Sequence, residues 1–364
     1  MLDWYQHFVD HYNVNVVDLT TIPAGKIRQV IDSITTPTVF IINYDLIWRR
    51  PELKKLHGFT LLLDESSLIQ NENSKRSRFI LKLNPDNVIL LSGTPTGGRY
   101  ENLWSQQHLL GWKIPKDLFL RQYVEFHYDD SSGFPRMVID GYKNVDRLKR
   151  KMREYGCQFL KTDEVVDLPD QMDQTISVPV SKEYKKFKKS RIVTVEGEEL
   201  VGDCSLTKLL YERQLCGQYC QDKLDAFQDL VESTNDRLIV FYNFTAELTV
   251  MAEMIHKLGR PLGVVNGNLK EQKVIEKDGA VLFVQYQAGA YGLNLQKANK
   301  IIYFTPPLSS ELFEQSRKRT HRIGQAKTCW YYYLTCQGSV EERIYKTLAK
   351  RKDYTDKLFE EEES

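Results

Sequence analysis

Residues Gln315 to Gln325 read Gln-Ser-Arg-Lys-Arg-Thr-His-Arg-Ile-Gly-Gln. Gln315, Arg319 and Arg322 stand at i, i+4 and i+7, a spacing that predicts one face of a helix. Such a face does not read as core, because arginine is seldom buried without a partner. Guanidinium forks match phosphate oxygens and stay charged at any working pH. The face therefore suits the γ-phosphate of a nucleotide, where an arginine finger offsets charge in the transition state. A second group is Asp64-Glu65-Ser66-Ser67, which follows the apolar run Phe59 to Leu63. Carboxylates at the carboxyl end of a buried parallel strand sit where open α/β sheets bind ligands. Asp64 is read as the residue that holds Mg²⁺ through water, and Glu65 as the group that activates the attacking water. The plain alternatives are a solvated basic helix and an acidic turn.

These residues need strands to hold them, and the strands are visible. Asn87 to Leu91 is a second apolar run, followed by Ser92-Gly93-Thr94-Pro95. Ala280 to Val284 is a third and leads to the segment Gly289 to Leu295, which reads Gly-Ala-Tyr-Gly-Leu-Asn-Leu. Gly289 and Gly292 would allow backbone to approach a phosphate closely. Thr38 to Asn43 is a further strand of the first half. Arg237 to Tyr242, Leu262 to Val265, Lys300 to Phe304 and Trp330 to Leu334 are strands of the second, with a helix over 248 to 258. Alternation of short strands and helices predicts βαβ units and parallel sheets.

The ordered motifs resemble those of the Swi/Snf-type ATPases of helicase superfamily two, in the compact version found in bacteria and phages. The resemblance covers nearly the whole chain. Asp64-Glu65 matches the family's acidic box, and Ser92 and Thr94 match its coupling motif. Gly289 to Leu295 matches its Gly-Leu-Asn-Leu element, and Gln315 to Gln325 its arginine-finger helix. Lys161 to Pro169 resembles the segment linking the two lobes, and Val340 to Ile344 the start of the closing helix. The resemblance implies an α/β fold of two RecA-like doubly wound parallel-sheet lobes. It implies ATP and Mg²⁺ as cofactors and double-stranded DNA as partner. Asp64, Glu65, Arg319 and Arg322 would be catalytic, Gln315, Gly289, Gly292 and Asn294 would hold nucleotide, and Ser92 and Thr94 would couple its state to lobe movement. Expected boundaries are a first lobe over 1–125, a helical protrusion and linker over 126–205, and a second lobe over 206–364.

One departure is large. The family's phosphate loop, Gly-x-x-x-x-Gly-Lys-Ser/Thr, has no match in this sequence. Gly25-Lys26 is the only Gly-Lys pair, with Ile27 after it and Thr20 in the first glycine's place, a poor phosphate nest. Trp4 resembles the tryptophan that follows the family's second strand. The expectation is a first lobe truncated at its amino terminus, with the missing segment supplied in cis or by a partner chain. Three functions remain open: a DNA translocase, a DNA- or protein-binding module without turnover, and one half of a split ATPase.

Composition excludes little. The chain has 364 residues, a formal net charge of +1 and six cysteines. Global charge does not argue for nucleic acid, although Arg147 to Arg153 and Lys182 to Arg191 are dense basic clusters. The second includes Tyr184 and Phe187, an interleaving suited to a backbone groove. Cys216 and Cys220 lie four apart with no histidine nearby, so plain reduced thiols are expected. No apolar run is long enough to span a bilayer, and a reducing, cytoplasmic compartment is expected. The acidic tail Glu360 to Glu363 reads as a frayed end.

Overall fold

The computed structural model describes residues 2–130, 135–160, 167–289 and 293–359. The chain divides into two compact units, Met1–Gln158 and Phe159–Lys357. The division falls within the stretch 126–205 that the sequence reads as protrusion and linker.

In the first unit, four strands make two parallel pairs. β1 (Asn15–Asp18) pairs with β2 (Thr38–Ile41), and β3 (Thr60–Leu63) pairs in register with β4 (Asn87–Leu90). Parallel neighbours need a crossover. The helix Ile27–Asp32 lies between the first two strands and Lys75–Ile80 between the second two. Leu19, Ile27, Ile47, Leu63, Ile69 and Ile80 form the buried centre.

β3 and β4 are buried on one face only, which corrects the reading of them as strands covered on both sides. Leu61, Leu63, Val88 and Leu90 pack into the core, whereas Leu62, Ile89 and Leu91 are 38%, 45% and 40% exposed. Leu62 and Ile89 are register partners, and the period of two puts Leu91 on their face. A contiguous apolar patch on a short sheet favours association. The chain is expected to self-associate as its concentration rises, and Ile89→Lys to shift it toward monomer in analytical ultracentrifugation. Identical sedimentation of the two proteins would rule this face out as the contact.

The region 116–200 is less helical than its charge pattern suggests. β5 (Val124–Asp129) and β6 (Arg136–Tyr142) form an antiparallel hairpin. Their alternating apolar residues flank a turn cluster of which residues 131–134 lie outside the described set. β7 (Gln171–Val178) is followed by a second hairpin, β8 (Ile192–Val195) with β9 (Glu198–Val201). Glu196 and Gly197 at its tip have φ of 51° and 86°, the left-handed pair that a two-residue hairpin turn requires. Between β7 and β8, the helix Lys182–Ser190 buries Tyr184 and Phe187 and exposes its lysines. The two aromatic rings are therefore core, not stacking platforms.

The second unit is built on six parallel strands in the order β11-β12-β10-β13-β14-β7. They are β10 (Leu238–Tyr242), β11 (Leu262–Val265), β12 (Val281–Gln285), β13 (Lys300–Tyr303) and β14 (Cys329–Cys336), with β7 at the edge. Alternate side chains feed two cores. Ile239, Phe241, Leu282, Val284, Ile301 and Tyr303 meet Leu312 and Phe313 of the helix Ser310–Lys318. Leu238, Val240, Tyr242, Phe283 and Ile302 meet Phe227, Met251 and Ile255 of the helices Gln221–Glu232 and Thr245–Lys257. Helices on both faces of a parallel sheet make this the doubly wound α/β architecture that the motifs imply.

Candidate functional site

β3 and β4 end at one edge. Leu91 N donates to Leu63 O at 2.9 Å, and Ser66 N donates to Leu91 O at 2.8 Å. The segments after the strands, Asp64 to Ser67 and Ser92 to Thr96, are therefore neighbours. The chain turns at Glu65, with φ 52° and ψ 54°, a left-handed conformation that costs a non-glycine residue roughly 1–3 kcal/mol. Asp64 is exposed and Glu65 half-buried. Trp4 Nε1 donates to Asp64 Oδ2 at 2.8 Å, and the Tyr44 hydroxyl donates to Asp64 O at 2.8 Å. Burial raises the Tyr44 pKa, and the charges of Asp64 and Glu65 raise it further, so the phenol stays a neutral donor. Tyr44 follows Asn43, whose Oδ1 accepts from Leu46 N at 2.8 Å and starts the helix Tyr44–Ile47.

An amide relay joins the acidic segment to the coupling segment. Ser66 Oγ donates to Gln106 Oε1 at 3.0 Å, and Gln106 Nε2 donates to Pro95 O at 2.7 Å. Gln70 Nε2 reaches the same carbonyl at 3.2 Å. Thr94 N donates to Ser92 Oγ at 3.1 Å. Thr94 is buried, and its Oγ1 has no hydrogen-bond partner among the described residues. Motif reading does not find Gln70 or Gln106. They carry no signal in the sequence, since each stands among other polar residues, Gln70 before Asn71-Glu72-Asn73 and Gln106 between Ser105 and Gln107.

The second group is brought together in part. Ser309 caps the helix Ser310–Lys318 by accepting from Leu312 N at 3.3 Å, and Arg319 is its last capping residue. Gln315 lies in this helix and Arg319 caps its end, but Arg322 lies beyond, in a turn where Gln325 N donates to Arg322 O at 3.0 Å. The expected single face over three residues is thus corrected to one in the helix, one at its end and one after it. Gly324 takes φ 97°, and Gln325 Nε2 donates to Gln296 O and Ala298 O, both at 3.0 Å, which draws the chain off the helical path. The same region ties the arginines to the Gly-Leu-Asn-Leu element, since Leu295 N donates to Arg319 O at 3.2 Å. Leu293 and Leu295 are buried and Asn294 is exposed, so the leucines anchor the segment and present the asparagine. Gly289 ends the short helix Tyr286–Gly289. Gly292 lies outside the described residues, as do residues 161–166 of the expected inter-lobe link and the acidic tail from 360.

Arg317 does a different task from its neighbours. It donates to Asp173 Oδ1 at 2.7 Å and to Gln171 Oε1 at 3.2 Å, and its guanidinium lies 4.0 Å from the centre of the Tyr331 ring. It pins the helix to the edge strand β7.

A carboxyl outside every motif, Glu247, is fully buried just past β10. It accepts from Asn243 N, Phe244 N and Thr305 Oγ1 at 3.0, 3.1 and 3.0 Å. Burial pushes its pKa up to about 7 from the ordinary 4.5, against those hydrogen bonds and the Lys223 charge. A folded-state pKa above the unfolded one means stability that is complete below the unfolded value and is lost as pH rises through the folded value. Glu247→Gln is expected to remove a loss on the order of 3 kcal/mol over the interval from 4.5 to about 7. Denaturant titrations across that interval check this, and parallel pH dependence of the two proteins would refute it.

A strand followed by Asp-Glu, paired with one followed by Ser-Gly-Thr-Pro, and a doubly wound parallel sheet that carries an arginine helix give an α/β fold consistent with RecA-like helicase lobes. Residues 1–223 match the profile of the SNF2-related domain and residues 222–324 that of the helicase conserved C-terminal domain; the chain belongs to the SNF2-related family. It is similar to the helicase/translocase-type protein YwqA of Bacillus subtilis, at 26% identity over 347 residues, covering 85% of this chain and 37% of that one. A Mycoplasma genitalium ATP-dependent helicase, MG018, is 23% identical over 392 residues, covering 100% and 36%. The mouse SWI/SNF-related matrix-associated actin-dependent regulator of chromatin subfamily A member 1 is 24% identical over 344 residues, covering 84% and 32%. The chain thus spans about a third of the length of these curated relatives. Among the described residues, no helix is long and apolar enough to cross a membrane.

Proposed function

We propose that this chain carries the water-activating and arginine parts of an ATP-dependent translocase acting on double-stranded DNA. The observation that carries the reading is the in-register pairing of β3 with β4, which sets Asp64-Glu65 beside Ser92 and Thr94 at one strand edge. Membership of the SNF2-related family supports it, as do relatives named for ATP-dependent helicase activity and chromatin regulation.

Bound Mg²⁺·ATP supplies the scissile phosphoanhydride and a cation that neutralises its charge. The exposed Asp64 carboxylate at the strand edge is the hard oxygen donor such a cation takes; Trp4 holds the carboxylate and Tyr44 the backbone carbonyl of the same residue. With nucleotide bound, Glu65 would accept the proton of the attacking water, Arg319 and Arg322 would offset charge that develops on the γ-phosphate, and Gln315, Gly289, Gly292 and Asn294 are the residues that would hold the nucleotide. Ser92 and Thr94 pass its state onward through Pro95, Gln70 and Gln106.

The phosphate cradle is not among these residues. Gly25 and Lys26 lie in a tight 3₁₀ turn, Ala24–Lys26, that enters the next helix, and Gly25 is not among the glycines with positive φ. The reading therefore requires a Gly-x-x-x-x-Gly-Lys-Ser/Thr segment, in cis or on another polypeptide. DNA-stimulated ATPase assays test it. The chain alone is expected to turn over ATP weakly, and the added segment to restore turnover. Strong hydrolysis by the chain alone would remove the requirement. Failure of the segment to stimulate, with DNA binding intact, would favour the second reading, a binding module without turnover.

A further inference from the structure

The helix Lys182–Ser190 carries five lysines, and Arg191 follows as its capping residue. All six of these side chains are exposed. Lys182, Lys185, Lys186 and Lys189 stand at i, i+3, i+4 and i+7, the spacing of one helical face. The opposite face is fixed. Tyr184 and Phe187 are buried among Leu200, Leu215, Val340 and Ile344. Val340 N donates to the Tyr184 hydroxyl at 2.9 Å, and Ser181 Oγ caps the first turn by accepting from Tyr184 N at 3.1 Å. The lysines therefore project from a helix that is held in place. Their charge is not compensated. Lys116, Lys151, Lys223, Lys297 and Lys300 each meet a carboxylate, whereas among the described residues none of these six cations forms an ion pair. Lys188 reaches a backbone carbonyl, that of Gly338, at 3.5 Å. Like charges three and four residues apart oppose the helix that bears them. In a chain whose formal net charge is +1, the stripe is a local concentration of charge.

We propose that this lysine face is a docking surface for the phosphate backbone of duplex DNA, separate from the residues assigned to the nucleotide; the choice of partner rests on the function proposed above. Charge complementarity selects a polyanion. The run from Lys182 to Lys189 spans about 10 Å of helix, and a duplex offers one negative charge per about 1.7 Å of its axis, so several phosphates face the stripe at once. Each lysine is a mobile point charge, which tolerates the curvature of a backbone without a fixed hydrogen-bond geometry. Single strands are held by stacking their bases on aromatic side chains, and both rings of this helix are turned into the core. The same burial argues against a lipid surface, since a helix lying on a bilayer needs a free apolar face. Phosphate contacts carry no sequence information of their own, so the surface holds duplex of any sequence.

The test is fluorescence anisotropy of a short labelled duplex with the whole chain, repeated across salt concentrations. The stripe variant combines Lys182→Gln, Lys185→Gln, Lys186→Gln and Lys189→Gln. A control variant combines Lys55→Gln, Lys82→Gln, Lys257→Gln and Lys277→Gln, exposed lysines elsewhere, and loses the same charge. The slope of log affinity against log salt should fall by about 3 to 4 in the stripe variant, at roughly 0.9 per phosphate contact, and by less than about 1 in the control. Two duplexes of unrelated sequence should lose affinity equally. The stripe variant should melt no lower than the unaltered chain, because the exchanged side chains are exposed and repel one another. If it does not fold, Lys185→Gln with Lys189→Gln, expected to lower the slope by about 2, gives the answer. An unchanged slope in the stripe variant overturns the surface and leaves the proposed function standing. Equal falls in the stripe and control variants also overturn it, since any surface charge would then serve. Failure of the unaltered chain to bind duplex overturns both the surface and the duplex partner. Tighter stripe-dependent binding to single strands or to vesicles of anionic phospholipid than to duplex overturns it in favour of that polyanion.

Discussion

Glu65→Gln is expected to lower ATP turnover on the order of 10³-fold in any form of this protein that carries a phosphate loop, with nucleotide and DNA affinity nearly unchanged. Glutamine keeps the size of the side chain but cannot accept the proton of the attacking water. The fold around it should tolerate the exchange, because the backbone turn at Glu65 is held by Ser66 N on Leu91 O and by the Ser66–Gln106 contact, neither of which uses the carboxylate. Single-turnover kinetics with and without duplex DNA separate loss of chemistry from loss of binding. Undiminished turnover would reduce Asp64-Glu65 to an acidic strand-end turn. Tyr44→Phe makes a useful comparison. It removes one donor to the Asp64 carbonyl and no proton acceptor, so its loss should be much smaller.

Arg319→Ala and Arg322→Ala should each lower kcat by about 10³-fold or more, as loss of an arginine finger does. The two losses should be far from additive, since both groups act on one transition state. The structure adds a control. Arg317 is bound to Asp173 and Gln171 and stacked on Tyr331, so Arg317→Ala should lower thermal stability of the second unit. Its kcat, measured well below the melting range, should fall far less. Steady-state kinetics beside thermal melts distinguish the three arginines. Should Arg319→Ala or Arg322→Ala keep kcat and weaken DNA binding instead, this segment serves nucleic acid and not the nucleotide.

Much of the frame is legible in the sequence. All five apolar runs assigned as strands in the second half are strands of one parallel sheet, because a strand buried on both faces must be apolar at every position. The acidic and coupling segments follow apolar runs directly, so their place at a strand end is a local property. β7 is harder to see. Its residues are mostly exposed, so an edge strand of this kind carries little apolar signal.

What only the tertiary structure decided are the features set by distant neighbours. Three arginines within six residues look alike in sequence, and Arg317 is set apart only because β7, some 144 residues earlier, brings Asp173 to it. Arg322 leaves the helix because Gln325 finds carbonyl partners at Gln296 and Ala298, an interaction that helical spacing does not encode. Leu62 and Ile89 are as apolar as their buried neighbours, and their exposure depends on what covers that face. Cys336 and Glu341 join Cys216 and Lys223 across more than a hundred residues. Periodicity reports which way a side chain points along its own element; burial, pairing and charge depend on which other element arrives there.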